Sequence, residues 1–285
     1  MLTEVLTRVA VVVGIMLPIS IALFIGRERL ETTFTEWRAR LRISGPVLVV
    51  LGIALVLNRM MRRSDPDIGF HMTSAIRDIE GEFILIFQRV ANAYLTEYFA
   101  WIYVYGYTYL LIFPAVAYFV LSDTRMFRRL LTAYTLNYGL GLVLYLLVIA
   151  YGPRNILAGE LETVLYDHNP EYQHLTREVN RNTNVFPSLH TSLAATVGIF
   201  AYLSRDEYLK WFPVAVVLAV SVIISTMYLG IHWAIDVVAG LALAALCVWL
   251  SDVIVGRWSL SASIGRLTGS DGSDGADESD GVDSD

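Results

Sequence analysis

Three short stretches in the second half of the chain hold the residues whose types and spacing could do chemistry. They are Tyr151-Gly152-Pro153-Arg154, Phe186-Pro187-Ser188-Leu189-His190 and His232-Trp233-Ala234-Ile235-Asp236. His232 and Asp236 stand four apart, so on a helix they share a face one turn apart. A carboxylate on one imidazole nitrogen fixes the tautomer and raises the basicity of the other, which is the logic of an activated histidine nucleophile. Pro187 suits the first turn of a helix, whose free backbone N–H groups attract phosphate. Ser188 adds a hydroxyl there, and His190 reaches the same space as a candidate general acid for a leaving oxygen. Arg154, after a Gly-Pro turn, offers a planar, always-charged fork suited to phosphate oxygens. Each group also has a plain structural reading: a polar pair joining helices, a satisfied helix-end histidine, an interfacial anchor. Together they make a nucleophile, an acid and a phosphate clamp.

The elements that must position them are membrane helices. The chain is 55% hydrophobic and 17% charged, with a mean hydropathy of +0.54, outside the balance of a soluble domain. Spanning ~30 Å of hydrocarbon takes about 20 apolar residues. Seven runs approach or reach that length, at Val9 to Ile25, Ile43 to Leu57, Tyr98 to Leu121, Leu130 to Tyr151, Ser188 to Leu203, Phe212 to Leu229 and Trp233 to Leu250, the second being short. The first lacks the basic start and small-residue end of a cleaved signal and reads as a retained helix. Ionisable residues at span mouths are functional candidates by default, and parity puts all three stretches on one membrane face.

Between the first two runs, Arg27 to Arg42 holds five arginines and reads as an interfacial cytoplasmic loop. Ile76, Ile79, Phe83, Ile86, Phe87, Val90 and Tyr94 recur at three- and four-residue steps, as in an amphipathic interfacial helix. The tyrosines and Trp101 between Tyr94 and Tyr109 fit a headgroup belt. Residues 1–258 form one membrane domain in this reading, and 259–285 a disordered acidic tail, with seven acids from Asp271 to Asp285. The loops at 26–43, 122–129 and 204–211 and the tail carry twelve Lys and Arg against nine on the other side. The positive-inside rule therefore places them in the cytoplasm and the candidate site outside, in a multi-pass protein of the cell membrane. One lysine against twenty arginines, with the acidic tail, would fit a salt-rich cytoplasm. The single cysteine, Cys247, excludes an intramolecular disulfide or a multi-cysteine zinc site.

Phe186-Pro187-Ser188-Leu189-His190, followed by Ser225-Thr226-x5-His232-x3-Asp236, resembles the second and third signature motifs of the type 2 phosphatidic acid phosphatase superfamily. Leu189 resembles the inositol phosphorylceramide synthase branch, and the resemblance covers roughly residues 130–250. It implies an all-α integral membrane fold, with a six-helix core preceded here by one extra N-terminal span. It also implies a phosphohistidine on His232 oriented by Asp236, His190 as acid, and no metal or other cofactor. The family's first motif has a Lys where this chain has Leu147, and its third has an Arg where this chain has Thr226. Phosphate binding would then rest on Arg154, Ser188 and backbone N–H groups, with Arg177 or Arg181 as replacements from the long loop Asn155 to Val185, which would cover the site.

The implied partners are the bilayer and a phospholipid, isoprenoid or sphingoid phosphate; nucleic acid is not among them, and oligomeric state is left open. Water as acceptor gives a phosphatase, and an alcohol gives a phosphotransferase. Two other readings stand beside these: an inactive relative that binds or moves lipids, and a metal site of His190, His232 and Asp236.

Overall fold

The computed structural model describes residues 2–61, 69–157 and 185–257, and within them the chain is almost wholly helical. Helix α1 (Leu2–Phe24) and α2 (Arg27–Met61) come first, then a two-residue strand β1 (Phe70–His71) and the short helices α3 (Thr73–Glu80) and α4 (Leu85–Arg89). Helix α5 (Ala93–Trp101), a π-helical turn (Ile102–Gly106) and α6 (Tyr107–Phe119) form one continuous rod, followed by α7 (Arg125–Leu147), β2 (Val148–Ile149) and α8 (Pro153–Ile156). Helices α9 (Leu189–Leu203), α10 (Trp211–Tyr228) and α11 (Ala234–Arg257) complete the described part. Six of these elements are long and apolar enough to cross a bilayer, and α9, with 15 residues, is shorter. The protein is an all-α, multi-pass integral membrane protein.

Helix α9 can be short because protein, not lipid, surrounds it. Leu193, Ala194, Val197, Phe200 and Ala201 are buried, and the helix packs against α6, α7, α10 and α11. Small residues permit the close approach, as is usual without water to drive association. Leu189 fills the space where a Cβ at Gly141 would sit, and the Ser188 carbonyl lies 2.6 Å from where one at Gly240 would be. Between α7 and α9 the Asn137 amide donates to Thr196 Oγ1 at 3.2 Å and accepts from the Ser192 hydroxyl, so these buried polar groups satisfy one another. On α1 and α2 the apolar side chains Ile15, Ile19, Val49 and Ile53 point outward, as lipid-facing residues do.

Two expectations need correction. The arginine-rich stretch Arg27 to Arg42 is not a loop but the first half of the 35-residue helix α2. Arg27 pairs with Glu31 and Arg40 with Glu36, both at 2.8 Å and both one turn apart. Arg40, only 3% exposed, also donates to the carbonyls of Phe119, at 2.9 Å, and Leu121, where α6 ends. A cation is stabilised at a helix C-terminus, and this partner is 79 residues away in sequence. The amphipathic stretch is two short helices, because Gly81 turns left-handed with φ 57° and ends α3. Ile76 and Ile84 face inward onto Trp233, while Ile79, Phe83 and Ile86 stay exposed. The acidic tail and most of the long loop lie outside the described residues.

Candidate active site

The end of α10 fixes the candidate nucleophile. Gly230, at φ 63°, lets the chain leave the helix left-handed. The Gly230 N–H donates to the Met227 carbonyl at 2.9 Å and the Ile231 N–H to that of Thr226 at 3.0 Å, and the His232 N–H shares the Thr226 carbonyl at 3.1 Å. Helix α11 then begins at once: Asp236 in its first turn reaches back and accepts the Trp233 N–H on Oδ2 at 2.8 Å. His232 is thus held in a short turn between two capped helix ends, just before α11 and not on it. Its Nδ1 lies 3.6 Å from Asp236 Oδ2, an electrostatic contact longer than a hydrogen bond, which leaves Nε2 as the nitrogen to meet a substrate.

The candidate phosphate clamp is attached to the same turn. Arg154, in α8, donates its backbone N–H to the Gly230 carbonyl at 3.1 Å, and the Trp233 indole donates to the Tyr151 carbonyl at 2.9 Å. Gly152 lies so close to Ile231 that a Cβ would run into the Ile231 carbonyl. Arg154 therefore sits near enough for its charge to act on His232. Burial is the larger influence: with Arg154 acting in the same sense and the Val185 backbone opposing, it lowers the imidazole to about 3. His232 is 2% exposed, and this environment keeps it neutral.

Pro187 lies two residues before α9, not in its first turn; Ser188 is the N-cap. The Ser188 hydroxyl accepts the Thr191 N–H at 3.3 Å, and its own N–H donates to the Asp236 carbonyl at 3.0 Å. This leaves only the O–H hydrogen for a phosphate, and it stitches the start of α9 to the start of α11. His190, in the first turn of α9, presents its ring 6.4 Å, centroid to centroid, from that of His232.

The structure thus brings Arg154, Ser188, His190, His232 and Asp236 to one end of the bundle. Leu147 is half exposed at the end of α7. Thr226 is buried, with its hydroxyl turned back onto the Ile223 carbonyl at 2.7 Å, so neither supplies charge. Arg177 and Arg181 lie outside the described residues.

Three residues with a place at the site carried no such sign in the sequence. Glu80 of α3 accepts the Ile235 N–H at 3.1 Å, at the start of α11 beside Asp236. Burial, with a smaller contribution from Asp236, raises its carboxyl above the ordinary range against the pull of the Ala234 and Ile235 amides. Tyr103 and Tyr107 pack on His190, with ring centroids at 4.5 Å and 4.4 Å. Glu80 reads as one polar position among several in an amphipathic stretch, and the tyrosines as part of an interfacial belt.

Compared with known proteins, the chain matches the family model of the PAP2 superfamily over residues 75–250. No curated protein and no solved structure matches it.

Proposed function

The chain belongs to the PAP2 superfamily, and from that premise we propose that it is a lipid phosphate phosphatase or phosphotransferase working through a phosphohistidine on His232. The observation that carries this reading is the backbone coupling of Arg154 to the turn holding His232, which sets a cation beside a neutral, buried imidazole. Nε2 of His232 attacks phosphorus and the bond from phosphorus to the leaving oxygen breaks, with His190 giving that oxygen a proton. A second acceptor, water or an alcohol, then loses a proton to His190 and attacks the phosphohistidine. The N–P bond breaks and the histidine returns to its neutral form. Arg154, the Ser188 hydroxyl and backbone N–H groups meet the charge on the phosphoryl oxygens, and no metal takes part.

Leu189 supports the inositol phosphorylceramide synthase branch, and the charge bias of the loops favours a site on the outer face of the cell membrane. Arg177 and Arg181 are proposed to supply the positive charge absent at Leu147 and Thr226. The deciding experiment offers the purified protein a labelled lipid phosphate, with and without an alcohol, in excess EDTA. Release of phosphate or its transfer to the alcohol is expected, together with an acid-labile, base-stable label on the protein that His232→Ala does not form. Turnover that persists in His232→Ala, or that requires an added divalent metal, would overturn the mechanism.

A further inference from the structure

The rod that runs from α5 into α6 is interrupted beside the site by the π-helical turn Ile102–Gly106, closed by the Tyr107 N–H donating to the Ile102 carbonyl. A π turn inside a helix is rare and is found most often where function requires it. Here it delivers two aromatic rings to one side chain. Tyr103 stacks on His190 with an interplanar angle of 22°, and Tyr107 meets the same imidazole at 41°. Tyr103 is buried, and Tyr107 lies within electrostatic reach of Tyr134, Tyr138 and Tyr145, so aromatic residues from α7 stand behind it. The other side of the arrangement is equally fixed. Ser188 caps α9 and is bonded to α11, and Leu189 is seated over Gly141, so the backbone that carries His190 has little freedom.

We propose that Tyr103 and Tyr107 are positioning residues, an aromatic clamp that holds the imidazole of His190 with its edge toward the leaving oxygen. Ring-on-ring contact restricts rotation about the bond to the imidazole while leaving the ring nitrogens, which lie at its edge, open to hydrogen bonding. The inference rests on the proposed role of His190 as general acid. It assigns to the tyrosines no contact with the substrate; they act through the histidine.

A general acid matters in proportion to the basicity of the leaving oxygen. An alkoxide leaving from a lipid phosphate must be protonated, whereas the nitrophenolate leaving from p-nitrophenyl phosphate needs little help. The test therefore compares kcat and KM of the full-length protein on an alkyl lipid phosphate and on p-nitrophenyl phosphate. Tyr103→Leu and Tyr107→Leu are expected to lower kcat on the alkyl substrate by about ten- to a hundredfold, within the ~10²–10⁴-fold that a general acid contributes, with a much smaller loss on the aryl substrate. Tyr103→Phe and Tyr107→Phe retain a ring and are expected to restore the parent ratio.

Equal losses on both substrates, or no loss on either, would overturn the clamp. Tyr103→Met fills similar space without a ring face and gives the same reading where the Leu variant does not fold. His190→Ala is the reference. If it shows no preference for the acidic leaving group, the role of His190 itself fails, which is a separate result from failure of the clamp.

Discussion

The oxygen of Asp236 that faces His232, at 3.6 Å from Nδ1, is the same oxygen that accepts the backbone N–H of Trp233 at 2.8 Å. One carboxylate thus anchors the start of α11 and stands beside the imidazole. The two duties can be separated by substitution.

Asp236→Asn keeps an oxygen for the Trp233 N–H but removes the charge, so the protein is expected to fold normally and lose about ten- to a thousandfold in kcat, less than His232→Ala loses. Asp236→Ala removes both and should also cost roughly 1–3 kcal/mol of stability, the penalty for an orphaned buried donor. Thermal unfolding alongside steady-state rates distinguishes the two, and an Asn variant as unstable as the Ala variant would contradict the division.

The pH dependence of stability follows from His232. Burial and Arg154 lower the folded imidazole to about 3, whereas the unfolded chain takes a proton near ~6.5. The unfolded state therefore binds the proton first. This contribution to stability is fully present above ~6.5 and is lost as pH falls from there toward ~3. Melting temperature measured from pH 7 to pH 4 should fall more steeply for the parent than for His232→Gln, and parallel curves would exclude the effect.

Gly152→Ala places a methyl group against the Ile231 carbonyl, and backbone cannot swing aside as a side chain can. The turns carrying Arg154 and His232 must then part, and kcat/KM is expected to drop at least tenfold. Gly139→Ala is the control, because nothing lies within 4 Å of its added carbon. Its activity should be unchanged and its stability slightly higher, by about 0.5–1 kcal/mol from helix propensity.

Glu80 caps α11 from a different helix. Glu80→Gln retains an acceptor for the Ile235 N–H and should be tolerated, while Glu80→Ala should cost about 0.5–2 kcal/mol, as loss of a helix cap does. Because burial raises the Glu80 carboxyl, the fold favours its neutral form more than the unfolded chain does. The stability it contributes is therefore present at low pH and declines as pH rises through the folded value. Glu80→Gln should flatten that decline in a pH series of melting temperatures; an unchanged slope would exclude it.

Much of this was legible in the sequence because lipid imposes a length and a composition on anything that crosses it. Each of the seven apolar runs contains a helix, in order. The fifth falls short of spanning length for a tertiary reason, its enclosure by α6, α7, α10 and α11. The four-residue spacing of His232 and Asp236 rightly brought them together, but through a capped turn and not along one helical face. The helix at Arg27 to Arg42 was hidden because what secures it, the end of α6 under Arg40, is remote in the chain. Tyr103 and Tyr107 were hidden because a π turn inside an apolar run leaves no mark in residue spacing.

The joint between Tyr151-Gly152-Pro153-Arg154 and the Gly230 turn has a mechanical meaning. Bilayers differ in thickness, and helices respond by tilting and sliding against one another. Arg154 and His232 follow different spans, α7 and α10, yet the Arg154 amide is bonded to the Gly230 carbonyl and the Trp233 indole to that of Tyr151. When the spans tilt, the cation and the imidazole travel as a single rigid piece. The separation on which the proposed attack on phosphorus depends is decoupled from strain in the membrane. Turnover in vesicles of short and long acyl chains should therefore vary through substrate affinity and leave kcat nearly constant, and a kcat that tracked chain length would show the joint giving way.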